Sequence, residues 1–358
     1  MIPFLVLLFT PILIQHIVID KRYVDFEKRN KWALFTFFAI LTILVALRHE
    51  SVGNDTRNYI MYFKHYVNLK WDNLLTQDLE VGFSYFNKIV SMFTKEAQVF
   101  FIIIVIFTVA PIYNTYKRLC VDPGLTILLF CLMSTFVLMF SGIRQMLAVG
   151  IGFIAYEFTR QKKLIQFVLC VILAISIHTS AFMLILMYPL FHAKITKKWL
   201  WVVVPMLTIL FLYNKEIFSV LGTILLRYTE FDPIIEETGA YTMIILFALF
   251  SIFAFIIPDE SLLDSETIGL RNFLLLALVL QMFAPLNMLA MRMNYYYIIF
   301  IPLLLPKIIK YKSERWKQVA ILGRHIMVIF FLVYFFYNAY TSESNLHVFP
   351  YHFFWEKV

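Results

Sequence analysis

Twelve apolar segments, separated by short polar stretches, make up most of this chain. A helix needs about 20 consecutive apolar residues to cross a bilayer core, and most of the segments approach that length. The 358 residues are 61% apolar and 15% charged, with a mean hydropathy of +0.78. This composition is typical of integral membrane proteins and excludes an ordinary soluble domain.

The segments predict an all-α polytopic protein of about 12 transmembrane helices, forming one membrane domain over residues 1–358. Residues 1–19 lack a basic start and a small-residue cleavage site, so we expect a retained first helix and not a signal peptide. The predicted spans are residues 3–19, 31–48, 97–117, 123–141, 142–160, 162–177, 178–193, 198–214, 239–257, 270–288, 293–310 and 318–340.

The predicted orientation depends on residues 164–191, which contain no acidic or basic side chain except His178. If they form two helices, or a re-entrant pair, 20 of the 31 basic residues fall on one side of the membrane in short clusters. If they form one helix, the division becomes 14 against 17 and the clusters conflict. Because cytoplasmic loops are enriched in Lys and Arg, we predict two helices, cytoplasmic clusters and external termini.

Two polar stretches then fall on the external side. Residues 48–96 are the longest polar interval and predict a loop with short helices. Residues 214–239, which include Arg227, predict an amphipathic helix lying along the membrane. The net charge of +8 comes from short clusters between apolar segments, so it indicates membrane orientation and not nucleic-acid binding.

Three arginines mark the external ends of apolar segments: Arg48, Arg144 and Arg292. A lone guanidinium at mid-bilayer costs about 2.5–3.5 kcal/mol on insertion scales, so Arg144 requires a water-facing helix end or an anionic partner. Arginine stays charged and binds phosphate bidentately, so the three together would suit a diphosphate group. The alternative is that each one marks a helix end and snorkels to the interface.

Three further external residues could carry proton transfer. His178 suits a general base near neutral pH, or it is a structural histidine bonded to a backbone carbonyl at a helix–helix turn. Asp55 lies in a polar turn, where it would hold a sugar hydroxyl, orient an arginine, or cap the helix that starts near Thr56. Glu80 has the same alternatives.

Several kinds of chemistry lack support in the sequence. No P-loop, GxSxG, HExxH or Cys/His ligand spacing occurs, so ATP hydrolysis, serine hydrolysis and zinc chemistry are not indicated. The three cysteines, Cys120, Cys131 and Cys170, form no CxxC pair and suggest no disulfide framework. We therefore expect neither a metal nor a cofactor.

Five stretches taken in order resemble the EpsG family of Wzy-like polysaccharide polymerases, over residues from about 33 to 310. They are Arg48 with Val52-Gly-x-Asp55-Thr and Tyr59, Glu80-x-Gly-Phe83, Gly142-Ile-Arg-Gln-x-Leu-Ala148, Ala174 with His178-x-Ser-Ala181, and Arg292 with Tyr297. The resemblance implies a GT-C-like membrane glycosyltransferase without a nucleotide-sugar site. Such enzymes join undecaprenyl-diphosphate-linked oligosaccharides at the external face of the bacterial cytoplasmic membrane, and a chain-length-regulating copolymerase is an implied partner.

The residues and the resemblance together suggest a site on the external face. We expect His178, Arg144 and Asp55 to be catalytic. We expect the diphosphate or sugar to be bound by Arg48, Tyr59, Glu80, Gln145, Arg227, Arg292 and Tyr295.

Two other functions remain open at this stage. A lipid-linked oligosaccharide flippase would also contain many helices and arginines, but its charges should follow a path through several helices, and no internal repeat is obvious. A membrane O-acyltransferase would also use a histidine, but it usually meets its donor from the cytoplasm.

Overall fold

The computed structural model describes residues 2–16, 26–133, 135–226, 241–341 and 347–358. These residues form seventeen α-helices, five 3-10 helices and no strand beyond two isolated β-bridges. The prediction of an all-α fold is therefore confirmed.

The α-helices are α1 (Ile2–His16), α2 (Phe26–Ala46), α3 (Thr56–Asn68), α4 (Val81–Ser91), α5 (Ala97–Leu119), α6 (Pro123–Leu132), α7 (Leu138–Ser141), α8 (Ile143–Arg160), α9 (Leu164–Ile177), α10 (Met187–His192), α11 (Leu200–Leu212), α12 (Asn214–Leu226), α13 (Tyr241–Ile256), α14 (Ser265–Gln281), α15 (Met288–Ile298), α16 (Ile301–Lys310) and α17 (Lys317–Thr341). The 3-10 helices are Trp71–Thr76, Thr179–Leu186, Lys197–Trp199, Glu260–Leu262 and Glu314–Trp316.

Among the described residues, fewer helices than the twelve predicted spans are long enough and apolar enough to cross a membrane. Two helices suffice to cross a membrane, Ala97–Leu119 and Glu314–Tyr337, and a third crosses if the pair Thr179–His192 and Lys197–Leu212, bent by 118°, acts as one span. Five shorter apolar helices are Ile2–Ile14, Asn30–Ala46, Pro123–Leu132, Leu164–Ile177 and Tyr241–Ile256. The count of twelve is therefore not confirmed.

The difference arises because several predicted spans are interrupted. The predicted span 123–141 breaks after α6 and resumes as the four-residue α7. The predicted span 293–310 is divided between α15 and α16, and Pro302 lies in the first turn of α16, where a missing N–H is tolerated. α8 is continuous over 18 residues but carries three charged side chains near its ends, Arg144, Glu157 and Arg160.

The chain divides into two compact units, Met1–Ile185 with His325–Val358, and Leu186–Arg324. The interpretation of the chain as one membrane domain stays a prediction. In the first unit α5 packs on α8 at Gly150, where a Cβ would lie 3.0 Å from the Cα of Thr108. In the second unit α14 is central, packing on α10, α13, α15 and α16.

Within the first unit, the polar interval 48–96 forms α3, the 3-10 helix Trp71–Thr76, and α4. Phe63 of α3 stacks on Phe100 of α5, with ring centroids 4.5 Å apart. Gly53 has a φ of +89°, and a Cβ there would lie 2.1 Å from the carbonyl oxygen of Phe140. This position therefore requires glycine, and it brings the start of α3 against the end of α7.

The last residues of the chain pack on the same interval. The Phe354 N–H donates to the Leu47 carbonyl at 2.9 Å, and the His49 N–H donates to the His352 carbonyl at 2.8 Å. The bridge between Arg48 and Phe353 is antiparallel. Residues 347–354 therefore cover the turn that follows α2.

Candidate active site

Glu80 joins Arg144 and His178 in the first unit. One carboxylate oxygen, Oε1, lies 2.9 Å from His178 Nδ1, and the other, Oε2, accepts a hydrogen bond from Arg144 Nη1. The backbone N–H of Thr179 also donates to Oε1, at 3.3 Å. Three separate parts of the sequence thus meet at one carboxylate. The exposed fractions of the side chains are 18% for Glu80, 21% for His178 and 26% for Arg144, so the cluster is accessible but shielded.

The charge on Glu80 sets the protonation pattern of the histidine. Burial by itself raises the pKa of the Glu80 carboxyl, but the hydrogen bond from His178 and the charge of Arg144 together lower it to about 2. An ionised carboxylate only accepts hydrogen bonds, so His178 Nδ1 must be the donor. In neutral imidazole the proton on Nδ1 leaves the Nε2 lone pair free. Nε2 makes no hydrogen bond within the described part of the chain. The arrangement therefore suits His178 to accept a proton.

Arg144 lies in a polar and aromatic setting at the start of α8. Its guanidinium donates to the hydroxyl of Tyr59, which is buried on α3, and it lies 6.0 Å from the centre of the Phe83 ring. The buried Nε of Arg144 donates to no atom of the described residues. Because an unpaired buried donor is costly, this nitrogen suits an oxygen of a bound anion.

Asp55 and Glu80 both occupy the N-cap position of a helix, α3 and α4 respectively, but neither side chain makes a capping hydrogen bond. The Asp55 carboxylate is half-exposed and close enough to Tyr59 to raise the pKa of that phenol, to which burial makes the largest contribution. It makes no hydrogen bond to the residues that the structure describes. The capping alternative therefore lacks support for both carboxylates, and Asp55 is left available near the cluster.

Gly82 brings the histidine and the carboxylate together. A Cβ at this position would lie 2.2 Å from the Oγ of Ser176 and 2.7 Å from its carbonyl oxygen, so no larger residue fits. The N-terminal end of α4 can therefore approach the C-terminal end of α9. α9 ends at Ile177, and His178 follows as its C-cap residue with extended backbone. The ring of His178 consequently bonds a carboxylate instead of the backbone carbonyl of the structural alternative.

Arg48 is in the same unit but is buried, with 2% of its surface exposed. Its Nε donates to Thr56 Oγ1 at 3.1 Å, its Nη1 donates to the Val45 carbonyl, and its guanidinium lies over the Phe101 ring at 4.5 Å. These contacts tie the end of α2 to the start of α3. Arg48 is thus placed to order the turn that carries Asp55, and its predicted contact with a diphosphate stays a prediction.

The remaining predicted binding residues are Gln145, Arg227, Arg292 and Tyr295. Gln145 is buried on α8 next to Arg144. Arg292 and Tyr295 are half-buried on α15 in the second unit. α12 covers residues 214–226 of the predicted amphipathic segment. The rest of that segment, residues 227–239 with Arg227, lies outside the described residues. The structure therefore brings together Arg144, Glu80, His178 and Tyr59, with Asp55 nearby.

Comparison with protein families matches the EpsG family over residues 31–353, nearly the whole chain. The chain belongs to the EpsG family. This family comprises Wzy-like, polymerase-type membrane proteins. No curated protein and no solved structure matches the chain.

Membership of the EpsG family and the apolar helices make this chain an integral membrane protein of polysaccharide biosynthesis. The match ends at Phe353, so it includes all but the last of the residues 347–354 that cover the turn after α2. It also spans every member of the cluster around Glu80.

The sequence suggested that Glu80 holds a sugar hydroxyl, orients an arginine or caps a helix, but it did not reveal that one carboxylate joins Arg144 to His178. Sequence reasoning also missed the Phe83 ring beside Arg144 and the backbone N–H of Thr179. One signal was present in Glu80-Val-Gly82-Phe83, because a glycine two residues into a helix indicates close packing there. Nothing in the sequence identified Ser176 as the neighbour.

Proposed function

We propose that the protein is a Wzy-type polymerase of the GT-C class. It joins oligosaccharide repeat units carried on undecaprenyl diphosphate, at the external face of the bacterial cytoplasmic membrane. The observation that carries the proposal is that Glu80 contacts both Arg144 and His178. This contact supports the proposal because a guanidinium suited to phosphate and an imidazole suited to accept a proton then share one partly exposed site.

In the proposed reaction, a hydroxyl oxygen of the incoming repeat attacks the anomeric carbon of the growing chain. The bond from that carbon to the phosphate oxygen breaks, and undecaprenyl diphosphate leaves with the bonding electrons. His178 Nε2 accepts the proton of the attacking hydroxyl, and Glu80 holds the imidazole through Nδ1. Removal of such a base typically costs about 10²–10⁴-fold in rate.

Arg144 has the second role. Negative charge grows on the departing diphosphate, and a guanidinium already fixed by Glu80 and Tyr59 stabilises it without reorganisation. Nε of Arg144 is the free donor for this purpose. Asp55 is the second available carboxylate and would hold a sugar hydroxyl or share the role of base.

Deletion of the gene, with analysis of the glycan, tests the reaction type. We expect the polymer ladder to disappear while material with one repeat remains on the outer face. Accumulation of lipid-linked repeats on the cytoplasmic face would instead indicate a flippase. A ladder of normal length that lacks acyl groups would indicate an O-acyltransferase, and either result would overturn the proposal.

A further inference from the structure

A pair of exposed aromatic rings lies outside the cluster described above. Trp71 begins the 3-10 helix Trp71–Thr76, and Tyr85 lies on α4. Their ring centroids are 6.2 Å apart with planes tilted by 46°, and the exposed fractions are 46% and 38%. Large aromatic side chains contribute most when their faces are covered, so two adjoining exposed rings indicate a binding surface.

Trp71 lies beside a lysine that is itself held by hydrogen bonds, and Tyr85 is carried by α4. Lys88 Nζ lies 6.0 Å from the Trp71 ring centre and is itself fixed by the carbonyls of Tyr66 and Val67, at 3.3 and 3.5 Å. The 3-10 helix is anchored by Leu74, which is 1% exposed. The rings are therefore presented by a rigid surface, which limits the entropy lost on binding.

Hydrogen-bonding groups surround the rings. Gln77 accepts from the ring of His65, with Nε2 and Oε1 2.9 Å apart, and donates to the Asn73 carbonyl at 2.9 Å. The exposed side chains beside Trp71 are the polar Lys70, Asp72, Asn73, Thr76 and Asp78, together with the apolar Leu75. A helix that lies on a membrane has an apolar face and a basic polar face. Acidic residues beside Trp71 disfavour such contact with an anionic lipid surface.

We propose that Trp71 and Tyr85 form a glycan-binding platform for the growing oligosaccharide, an inference that rests on the proposed function. A sugar ring has an apolar C–H face that stacks on an aromatic ring and hydroxyls that hydrogen-bond at its edge, and this surface offers both. Tyr85 follows Glu80 by five residues on α4, a rise of about 7.5 Å along the helix axis. Tyr85 is thus about one and a half helical turns from Glu80, the N-cap residue of the same helix, and the platform would retain the growing chain between successive additions.

Three variants of the full-length protein test the platform in a deletion strain. Trp71→Ala and Tyr85→Ala should shift the glycan ladder to shorter chains while the first linkage between repeats is still formed. Phe93→Ala is the matched control, because Phe93 is 80% exposed in the same polar interval and contacts no aromatic ring of the described residues. It should leave the ladder unchanged. Ladders of unchanged length from Trp71→Ala and Tyr85→Ala would overturn the inference.

Binding in detergent separates this inference from the proposed function. The probe is the oligosaccharide released from the host polymer by mild acid, titrated against the purified full-length protein. Trp71→Ala should raise the Kd about tenfold, which corresponds to about 1.4 kcal/mol. Arg144→Ala should lose the ladder but retain this binding. If Arg144→Ala keeps its ladder, the proposed function fails. The Kd values of wild type and Trp71→Ala for the oligosaccharide still show whether the platform binds glycan.

Lipid contact is the remaining explanation for the exposed rings, and it can be measured. The protein is placed in vesicles that contain brominated lipid, and the fluorescence of Trp71 is taken as the difference between wild type and Trp71→Phe. We expect no quenching. Strong quenching would show that Trp71 lies in the bilayer and would overturn the platform.

Discussion

Arg144 forms an ion pair with the Glu80 carboxylate. Its planar guanidinium suits bidentate contact with the proposed diphosphate. Arg144→Ala should lower polymer formation about 10²–10³-fold, the typical cost of removing one preorganised donor. Arg144→Lys should also be poor, because lysine cannot form a bidentate contact. The measurement is the glycan ladder at matched protein level. Arg57→Ala is the control, since Arg57 is an exposed arginine on α3 that pairs with Glu50, at 3.4 Å, and with no other acidic residue of those the structure describes. Full activity of Arg144→Lys would show that charge alone suffices.

Glu80 gives a prediction about pH. The pKa of its carboxyl in the folded protein, about 2, lies below the ordinary value of 4.5. Such a group stabilises the fold at pH values above 4.5, and its contribution is lost as the pH falls from about 4.5 to about 2. Glu80→Gln should therefore melt at a lower temperature than wild type at pH 7, and the gap should narrow over that window. Thermal unfolding in detergent measures it, and a gap independent of pH would contradict the assignment.

At the scale of helices, the contact between α4 and α9 positions the site. Gly82→Ala would force the Ser176 backbone and Glu80 apart, because a Cβ would lie 2.7 Å from the Ser176 carbonyl oxygen. A displacement of about 1 Å can cost about 10²-fold in rate. We expect Gly82→Ala to lose most of the ladder, whereas Ile89→Ala, at an exposed position of α4, should keep it. A normal ladder from Gly82→Ala would show that this close approach is not required.

Sequence alone predicted the helical class, the break after Ile177 and most members of the cluster, because apolar periods and isolated polar residues are local signals. It could not predict how the cluster is joined. The contact between Glu80 and His178 spans 98 positions of the chain and depends on a glycine whose neighbour lies on another helix. The number of spans is not confirmed for a related reason, since hydropathy does not reveal where a segment such as 123–141 breaks into short helices.

At the scale of the whole molecule, the proposal requires the cluster to face outward. Thr179 and Lys163 are exposed residues at opposite ends of α9. In a variant without Cys120, Cys131 and Cys170, a membrane-impermeant maleimide should label Thr179→Cys in intact cells and Lys163→Cys only after permeabilisation. The reverse pattern would invert the predicted orientation and favour an acyltransferase.

In the proposed polymerisation, His178 is held by Glu80 and accepts the proton of the attacking hydroxyl. The most direct measurement is the glycan ladder made by His178→Ala in the deletion strain, with protein level and lipid-linked single repeats measured in parallel. His352→Ala is the control, because His352 lies in the same unit and its ring bonds, among the described residues, to the surface residue Glu356, at 3.1 Å. We expect a normal ladder from His352→Ala and only single-repeat material from His178→Ala. A normal ladder from His178→Ala would contradict it.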